Sequence, residues 1–185
     1  MVPMRRSCSK SFLILLLFFP SVLLPAELDD AIKAIVATYQ SALDALARGD
    51  AEAALRTDTD DWTTHVVGQQ PRTKQQNAVY VRQDPKGQAL PAGWTVFWRS
   101  DYEHNGTGNG LQLYDVKLNG TEAIVLGLIG GTHVEKIDGT DHQVWQGSHI
   151  RDTWVKTSAG WRRRMHEKLT INERMVDGKT APAGR

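Results

Sequence analysis

Cysteine is almost absent from this sequence, since Cys8 is the only one among 185 residues. Cys8 lies in an N-terminal segment that we expect to be removed, so the remaining chain should hold no disulfide and no thiol chemistry. A domain without disulfides depends on a hydrophobic core. Roughly 160 residues remain, which is enough for one domain with one core.

Several functional signatures are also missing. The sequence has no nucleophile motif, no glycine-rich phosphate loop and no metal-ligand spacing, so we expect no cofactor and no metal. A net charge of +1 gives no electrostatic footprint for nucleic acid, and we interpret the basic run "WRRRMHEK" as a solvated strand face. These absences favour a small-molecule site or a binding module.

The one long apolar run lies at the N-terminus. The segment "MVPMRRSCSK" is basic, and "SFLILLLFFPSVLLPA" continues apolar to Ala26. A basic segment, an apolar segment and a small residue predict a secretory signal peptide over 1–26. An uncleaved anchor is the alternative, but the run is short for a membrane span and Pro20 interrupts it. We therefore expect a secreted or periplasmic protein that leaves the membrane after cleavage.

The first part of the mature chain is helical in pattern. In "ELDDAIKAIVATYQSALDALARGD" apolar residues recur every three or four positions, which predicts an amphipathic helix. Gly49 ends it, and Asp50 caps a short second helix, "AEAALR". A strand, "DWTTHVVG", comes next, and Pro71 opens a third helix, "PRTKQQNAVYVRQ".

From Gly93 onward the apolar period changes to two. Five strand candidates follow, separated by the turn signals "NGTGNG", "NGT", "DGTD" and "TSAG". They predict an α+β fold in which N-terminal helices pack on one face of a curved antiparallel sheet. The predicted domain covers 27–175, and 176–185 is a flexible tail.

The last hairpin raises the question of a site. A regular register that pairs Lys156 with Trp161 puts Asp152, Trp154, Arg163 and Glu167 on the inner, apolar face and His166 on the outer one. Charged residues on a core face need partners or a cavity. Two interpretations stay open: a structural ion pair between Asp152 and Arg163, or a pocket lined by these charges.

The order of helices followed by a long meander resembles the nuclear transport factor 2-like superfamily, which includes ketosteroid isomerases and SnoaL-like cyclases. The resemblance is carried by "ATYQSALDALARGDAEAALRTDTDDWTTHVVG" and "IRDTWVKTSAGW". It implies a cystatin-like α+β cone with an internal pocket, a homodimer formed through the outer sheet face, and a SnoaL-like domain over the mature chain.

The resemblance also implies three catalytic positions. The helix tyrosine of ketosteroid isomerases falls on Tyr39, the acid of the final hairpin on Asp152, and the base on His65, where histidine stands in place of a carboxylate. A neutral histidine can abstract a proton beside a carbonyl, while Tyr39 and a protonated Asp152 would donate to the enolate. Arg163 on the same face would instead favour ionised Asp152.

Simpler roles remain open for these residues. Tyr39 is equally consistent with a core residue, and His65 with an ordinary strand residue that a shift of one position would turn outward. The further candidates for ligand contact are Trp62, Trp98, Trp154, Arg163 and Glu167. We expect a binder of a small apolar molecule with one polar group, with isomerase, dehydratase or cyclase-like chemistry; the alternative is a non-catalytic binding or assembly module whose pocket is filled.

Overall fold

The computed structural model of the chain describes residues 25–98 and 109–181. Residues 1–24 of the predicted signal peptide, the second half of the strand predicted after Gly93 and the last four residues of the predicted tail lie outside the described residues. Within the described part of the chain, no helix is both long enough and apolar enough to cross a bilayer.

The helices follow the predicted order. They are α1 (Pro25–Ala47), α2 (Ala51–Leu55), α3 (Lys74–Gln83) and a 3-10 turn (Lys86–Gln88). Gly49, at φ +80°, ends α1, and the carboxylate of Asp50 accepts from the backbone N–H of Ala53 at 2.9 Å to cap α2. The third helix starts later than predicted, because Thr73 and Gln76 form a capping box in front of it.

The described residues form nine strands in one mixed sheet. In chain order they are β1 (Asp58–Val66), β2 (Arg72–Thr73), β3 (Thr95–Trp98), β4 (Gly110–Asn119), β5 (Glu122–Ile137), β6 (Thr140–Thr157), β7 (Gly160–Lys168), β8 (Glu173–Val176) and β9 (Lys179–Ala181). The sheet order is β2-β1-β7-β6-β5-β4-β3, with β8 beside β6. Strands β4 to β7 are antiparallel, as predicted, but β1 pairs with β7 and β3 with β4 in parallel, so the prediction of a wholly antiparallel sheet is wrong at those two pairs.

The predicted flexible tail is partly wrong as well, because β8 and β9 form a hairpin that extends to Ala181. Its turn consists of Asp177 at φ +48° and Gly178 at φ +74°. Two consecutive positive φ angles define a type I′ turn, for which Asp-Gly is a preferred sequence. The dipeptide Asp177-Gly178 is therefore the sequence signal for this hairpin.

Helix α1 fills the concave side of the sheet. It packs against β7, β4 and β3, strands that span roughly 19 Å of a flat sheet at 4.8 Å per strand. A helix is only about 10 to 12 Å wide, so the sheet must curve around it. The core between them is apolar and comprises, among others, Ile32, Ile35, Tyr39, Leu113, Val125, Ile150, Trp154 and Trp161.

Candidate functional site

A buried carboxylate, Asp152 of β6, lies at the centre of a polar cluster inside this core. Its side chain is fully excluded from solvent. The hydroxyl of Tyr39, from α1, donates to Asp152 Oδ2, and the indole Nε1 of Trp154 donates to the Tyr39 hydroxyl at 3.3 Å. The Trp154 and Tyr39 rings meet edge to face with centroids 4.7 Å apart. Asp152, Tyr39 and Trp154 therefore hold one another in place.

Histidine enters the cluster from β7. The ring Nδ1 of His166 lies 2.7 Å from Asp152 Oδ1, and the His166 side chain keeps 20% of its surface exposed. Among the described residues, Asp152 alone forms a hydrogen bond with this ring. A carboxylate can only accept, so the neutral imidazole carries its proton on Nδ1 and its lone pair on Nε2.

A β-bulge in β7 brings His166 to this position. The pairing of β6 with β7 is regular from Lys156 to Trp154, which opposes Arg163, and it then shifts by one residue so that Asp152 opposes His166. Arg164 is the extra residue on the bulged strand. Because strand side chains alternate, one added residue reverses which of the following side chains face inward.

Arg163 links Asp152 to a second buried carboxylate. Its Nε donates to Asp58 Oδ1 at 2.9 Å, and its Nη1 lies 3.7 Å from Asp152 Oδ2. The guanidinium also lies over the rings of Trp62, at 5.5 Å, and Tyr39, at 5.9 Å. Cation–π contact of this kind is strengthened where water is excluded.

The charges in the cluster determine its protonation. Burial is the largest influence on Asp152 and acts to raise its pKa, but the charges and hydrogen bonds of His166, with Arg163 and Tyr39, outweigh it and hold the pKa below its ordinary value. Burial and the Asp152 carboxylate raise the pKa of Tyr39 well above its ordinary value. Burial lowers the pKa of Arg163, but Asp58 and Asp152 together raise it above its ordinary value. Near neutral pH Asp152 is thus ionised and Tyr39 is a neutral donor.

A cavity of about 350 Å³ adjoins this cluster. Its wall includes Tyr39, Trp62, Trp154, Arg163 and His166, with apolar side chains from α1, α2 and α3. The volume is within the range of small-molecule sites. The indole Nε1 of Trp62 is buried and has no hydrogen-bond partner among the described residues, so it is a donor that a ligand could use.

Five of the predicted residues meet here: Tyr39, Trp62, Asp152, Trp154 and Arg163. Trp98 does not line the cavity; it lies on β3 and packs against the edge of the core. The two interpretations of Asp152 and Arg163 are both partly correct. The two side chains form an ion pair, and a cavity lies beside that pair.

The predicted position of His65 in the pocket is wrong. Its neighbours on β1, Thr64 and Val66, line the cavity, so alternation turns His65 to the other face, where its Nε2 lies 3.3 Å from Thr63 Oγ1. Strand β1 was correctly predicted, but His65 lies on the face of that strand that points away from the cavity.

The inner position predicted for Glu167 is also wrong, because the bulge turns it outward. Arg151 is its cross-strand partner and donates to both carboxylate oxygens, at 2.6 and 2.8 Å. This bidentate pair lowers the pKa of Glu167. His166, which the regular register placed outside, takes the inner position.

Two residues of the polar cluster, His166 and Asp58, were not among the site residues predicted from the sequence. His166 was assigned to the outer face, and only the break in alternation caused by "RRR" hinted at a bulge. Asp58 was passed over because it stands in the acidic run "TDTDDW", where nothing distinguishes the one buried carboxylate from its exposed neighbours.

The described residues hold no group of three or more histidine, cysteine, aspartate or glutamate side chains placed to bind a metal ion. The polar cluster is instead one histidine, two carboxylates, one arginine and one tyrosine. What it can do chemically is therefore to hold a polar ligand group and to move a proton at His166.

Helices on the concave face of a curved mixed sheet, with a cavity between them, define a cystatin-like α+β cone. The chain has the nuclear transport factor 2-like fold, as comparison with solved structures shows. It is similar to an NTF2-like protein of cystatin-like fold from Novosphingobium aromaticivorans, at 22% identity and a TM-score of 0.50, over 78% of this chain and 85% of that one. No protein-family model matches the sequence, and no curated protein is significantly similar to it.

Two further solved structures have the same fold. A conserved protein from Planctomyces limnophilus is 13% identical with a TM-score of 0.52, over 79% of this chain and 98% of that one. A scytalone dehydratase-like protein from Novosphingobium aromaticivorans is 15% identical with a TM-score of 0.51, over 86% and 94% of the two chains. At these identities the likeness shows the fold alone, and the function must be argued from the site.

Proposed function

We propose that this protein binds a small molecule in the cone cavity and catalyses proton transfer at carbon, as isomerases and dehydratases do, with His166 as the general base. The observation that carries the proposal is the 2.7 Å contact between His166 Nδ1 and the buried Asp152, in a histidine that lines the cavity. The scytalone dehydratase-like relative is consistent with this class of reaction.

The roles follow from the contacts. Asp152 fixes the ring of His166 and stabilises the imidazolium that forms when Nε2 takes a proton from carbon. The proton moves from a carbon beside a carbonyl to Nε2, and the electron pair of the C–H bond moves to the carbonyl oxygen to give an enolate. Trp62 Nε1 is a donor in the cavity wall for that oxygen.

The roles implied by ketosteroid isomerases change in this proposal. A protonated Asp152 was to donate to the enolate together with Tyr39, but an Asp152 of lowered pKa is ionised and accepts from Tyr39 instead. Tyr39 then positions the carboxylate, and the base comes from β7 rather than from β1. An Asp–His pair replaces the two-donor arrangement.

The rival function is a non-catalytic binding or assembly module with a filled pocket. The paired Asp152 agrees with it, whereas an unfilled cavity of about 350 Å³ favours ligand binding. Catalysis is tested by following deuterium exchange at carbon by NMR, with the protein in D₂O and a β,γ-unsaturated ketosteroid, a 1,3-diketone, a β-hydroxy ketone and an aryl γ-keto carboxylate as substrates. The wild-type protein should accelerate exchange with at least one of them.

Two histidine variants make the test specific. His166→Ala should lower the exchange rate by about 100-fold or more, the usual contribution of a general base. His65→Ala is the matched control, because His65 lies on the adjacent strand but faces away from the cavity, and it should leave the rate unchanged. Equal rates in the wild type and His166→Ala would refute the proposed base.

We also propose that the protein is exported and dimeric, as the N-terminal segment and the fold suggest. Mass spectrometry of the exported protein should find an N-terminus near Glu27. For the dimer, Ile124 and Val134 are exposed apolar residues of β5, at 40% and 71%. Light scattering should give twice the chain mass, and an Ile124→Lys, Val134→Lys variant should give one chain mass.

A further inference from the structure

We propose that the ligand of the cone cavity is a small organic anion, a carboxylate on an apolar body, which is held by Arg72 and Lys168. This inference rests on the proposed small-molecule binding and names the ligand class. It depends on two cations in the cavity wall that form no ion pair with any carboxylate of residues 25–98 and 109–181.

The two cations flank the same strand. Arg72 of β2 is paired in register with Thr64 of β1, and on the other side of β1 Thr64 is paired with His166. Lys168 is paired with Val66, two residues further along β1. All five side chains line the cavity. Arg72, His166 and Lys168 therefore present their side chains to one continuous wall.

Two of the positive charges of this wall are not balanced by any carboxylate in the described part of the chain. Arg163 is neutralised by Asp58 and Asp152. Among the described residues, neither Arg72 nor Lys168 forms an ion pair; the Arg72 guanidinium lies over the ring of Tyr80, 5.2 Å from its centroid. Both side chains are half-buried. A partly desolvated cation without a counter-ion is costly, and a bound anion removes that cost.

The other residues of the cavity wall indicate which chemical group is attached to the carboxylate of the ligand. Leu43, Leu46, Leu55, Val81 and Ile150 supply an apolar surface, and Trp62 Nε1 supplies one donor that bonds to none of the described residues. A fully polar anion such as phosphate would leave that apolar surface without contacts, whereas an aromatic or aliphatic carboxylate covers it.

The anion site also lies beside the proposed base. His166 and Lys168 are two residues apart on one face of β7, so their Cα atoms are about 7 Å apart. A carboxylate at Lys168 and Arg72 therefore places the carbons that follow it against His166. The substrate class is accordingly a carboxylic acid with an acidic C–H bond a few atoms from the carboxylate.

A matched ligand pair tests the charge directly. Naphthalene-2-carboxylate and naphthalene-2-carboxamide have the same shape and differ in charge. Isothermal titration calorimetry with the wild-type protein should give at least about tenfold tighter binding of the carboxylate, the size expected for a charge-assisted contact. Added salt should weaken carboxylate binding and leave amide binding unchanged, because only the former is screened.

Variants assign the preference to the two cations. Arg72→Gln and Lys168→Gln should each reduce the carboxylate preference, and the double variant should abolish it while amide binding stays the same. The cations are tested separately because Lys168 also borders a neighbouring groove. Arg162→Gln, on β7 but outside the cavity, is the control and should keep the preference. Arg72→Lys should keep most of it, which separates loss of charge from loss of structure.

The outcomes separate the two proposals. Equal affinity for carboxylate and amide, or a preference that survives the double variant, would overturn the anion site and leave the proposed function standing. Binding of the carboxylate by a protein without exchange activity would support the anion site and overturn catalysis. Failure of both naphthalene compounds to bind at millimolar concentration would overturn the anion site for this ligand class.

Discussion

Arg163 joins two carboxylates that water does not reach. Asp58 and Asp152 are 5% and 0% exposed, and each lies within 4 Å of a guanidinium nitrogen of Arg163. The cation also covers the rings of Trp62 and Tyr39. At the scale of single residues the site is therefore one charge network, in which removal of the central cation leaves two buried anions.

Substitution of Arg163 tests the network. Arg163→Met keeps an unbranched apolar stem but leaves Asp58 and Asp152 without their cation, and should lower the free energy of unfolding by about 3 to 5 kcal/mol. Urea denaturation at pH 7 measures the change. Arg162→Met, the adjacent arginine outside the network, should change it by no more than about 0.5 kcal/mol. Similar decreases in the free energy of unfolding of both variants would show that the charge of Arg163 does not stabilise the fold.

The pH dependence of stability tests the charge of Asp152. Its pKa in the folded protein is lower than in the unfolded chain, so its ionised form stabilises the fold above the unfolded pKa, and that stabilisation is lost as the pH falls through the folded pKa. The difference in unfolding free energy between wild type and Asp152→Asn should be largest above about pH 5 and shrink below about pH 4. Urea titrations from pH 7 to pH 3 measure it. Asp61→Asn, at an exposed carboxylate, should show little difference at any pH.

At the scale of elements, the bulge in β7 explains which site residues could be predicted. The pattern of apolar residues gave the strands, and the turn before Trp161 fixed the register as far as Trp154 and Arg163, which were correctly placed. The shift beyond Thr153 exchanged the faces of His166 and Glu167. A bulge depends on tertiary packing and twist rather than on a sequence period, so the alternation rule could not predict it.

Gly131 of β5 leaves room for the ring of Trp94 against the sheet. A Cβ atom added to Gly131 would lie 2.0 Å from Trp94 Cζ2, and Gly131 does not have a positive φ. Gly131→Ala should therefore lower stability by about 1 to 3 kcal/mol by displacing the ring. In a Trp94→Ala background the same change should cost much less, which thermal unfolding of the four proteins of the cycle measures.

Gly147 provides the contrast to Gly131. A Cβ atom there would meet the backbone oxygen of Ile129 at 2.5 Å as well as the ring of Trp145. Trp145→Ala should therefore fail to rescue Gly147→Ala, because a backbone atom cannot move aside as a side chain can. An equal rescue at both glycines would contradict this account of the sheet.

At the scale of the whole molecule, the cone fold could be predicted from the sequence, but the contacts of the polar cluster inside it could not. The amphipathic pattern of α1 and the two-residue period of β4 to β7 arise from burial, which the order of residues encodes directly. The parallel entry of β1 beside β7 brings Asp58 to Arg163 and Thr64 to His166. These contacts join residues about a hundred positions apart. The spacing of apolar residues within one strand contains no information about such pairings.

The cavity is formed by the whole fold. Filling it with a larger side chain should raise the free energy of unfolding and weaken ligand binding. Ala42 of α1 lines the cavity, whereas Ala37, five residues earlier on the same helix, is exposed. Ala42→Leu should raise the free energy of unfolding by about 1 kcal/mol, since each buried CH₂ contributes about 0.8 kcal/mol and part of that gain is spent on repacking. It should also weaken binding of naphthalene-2-carboxylate by at least about tenfold, because both would occupy the same space. Ala37→Leu should change neither quantity. A stabilised Ala42→Leu protein with unchanged affinity would place the ligand outside the cone.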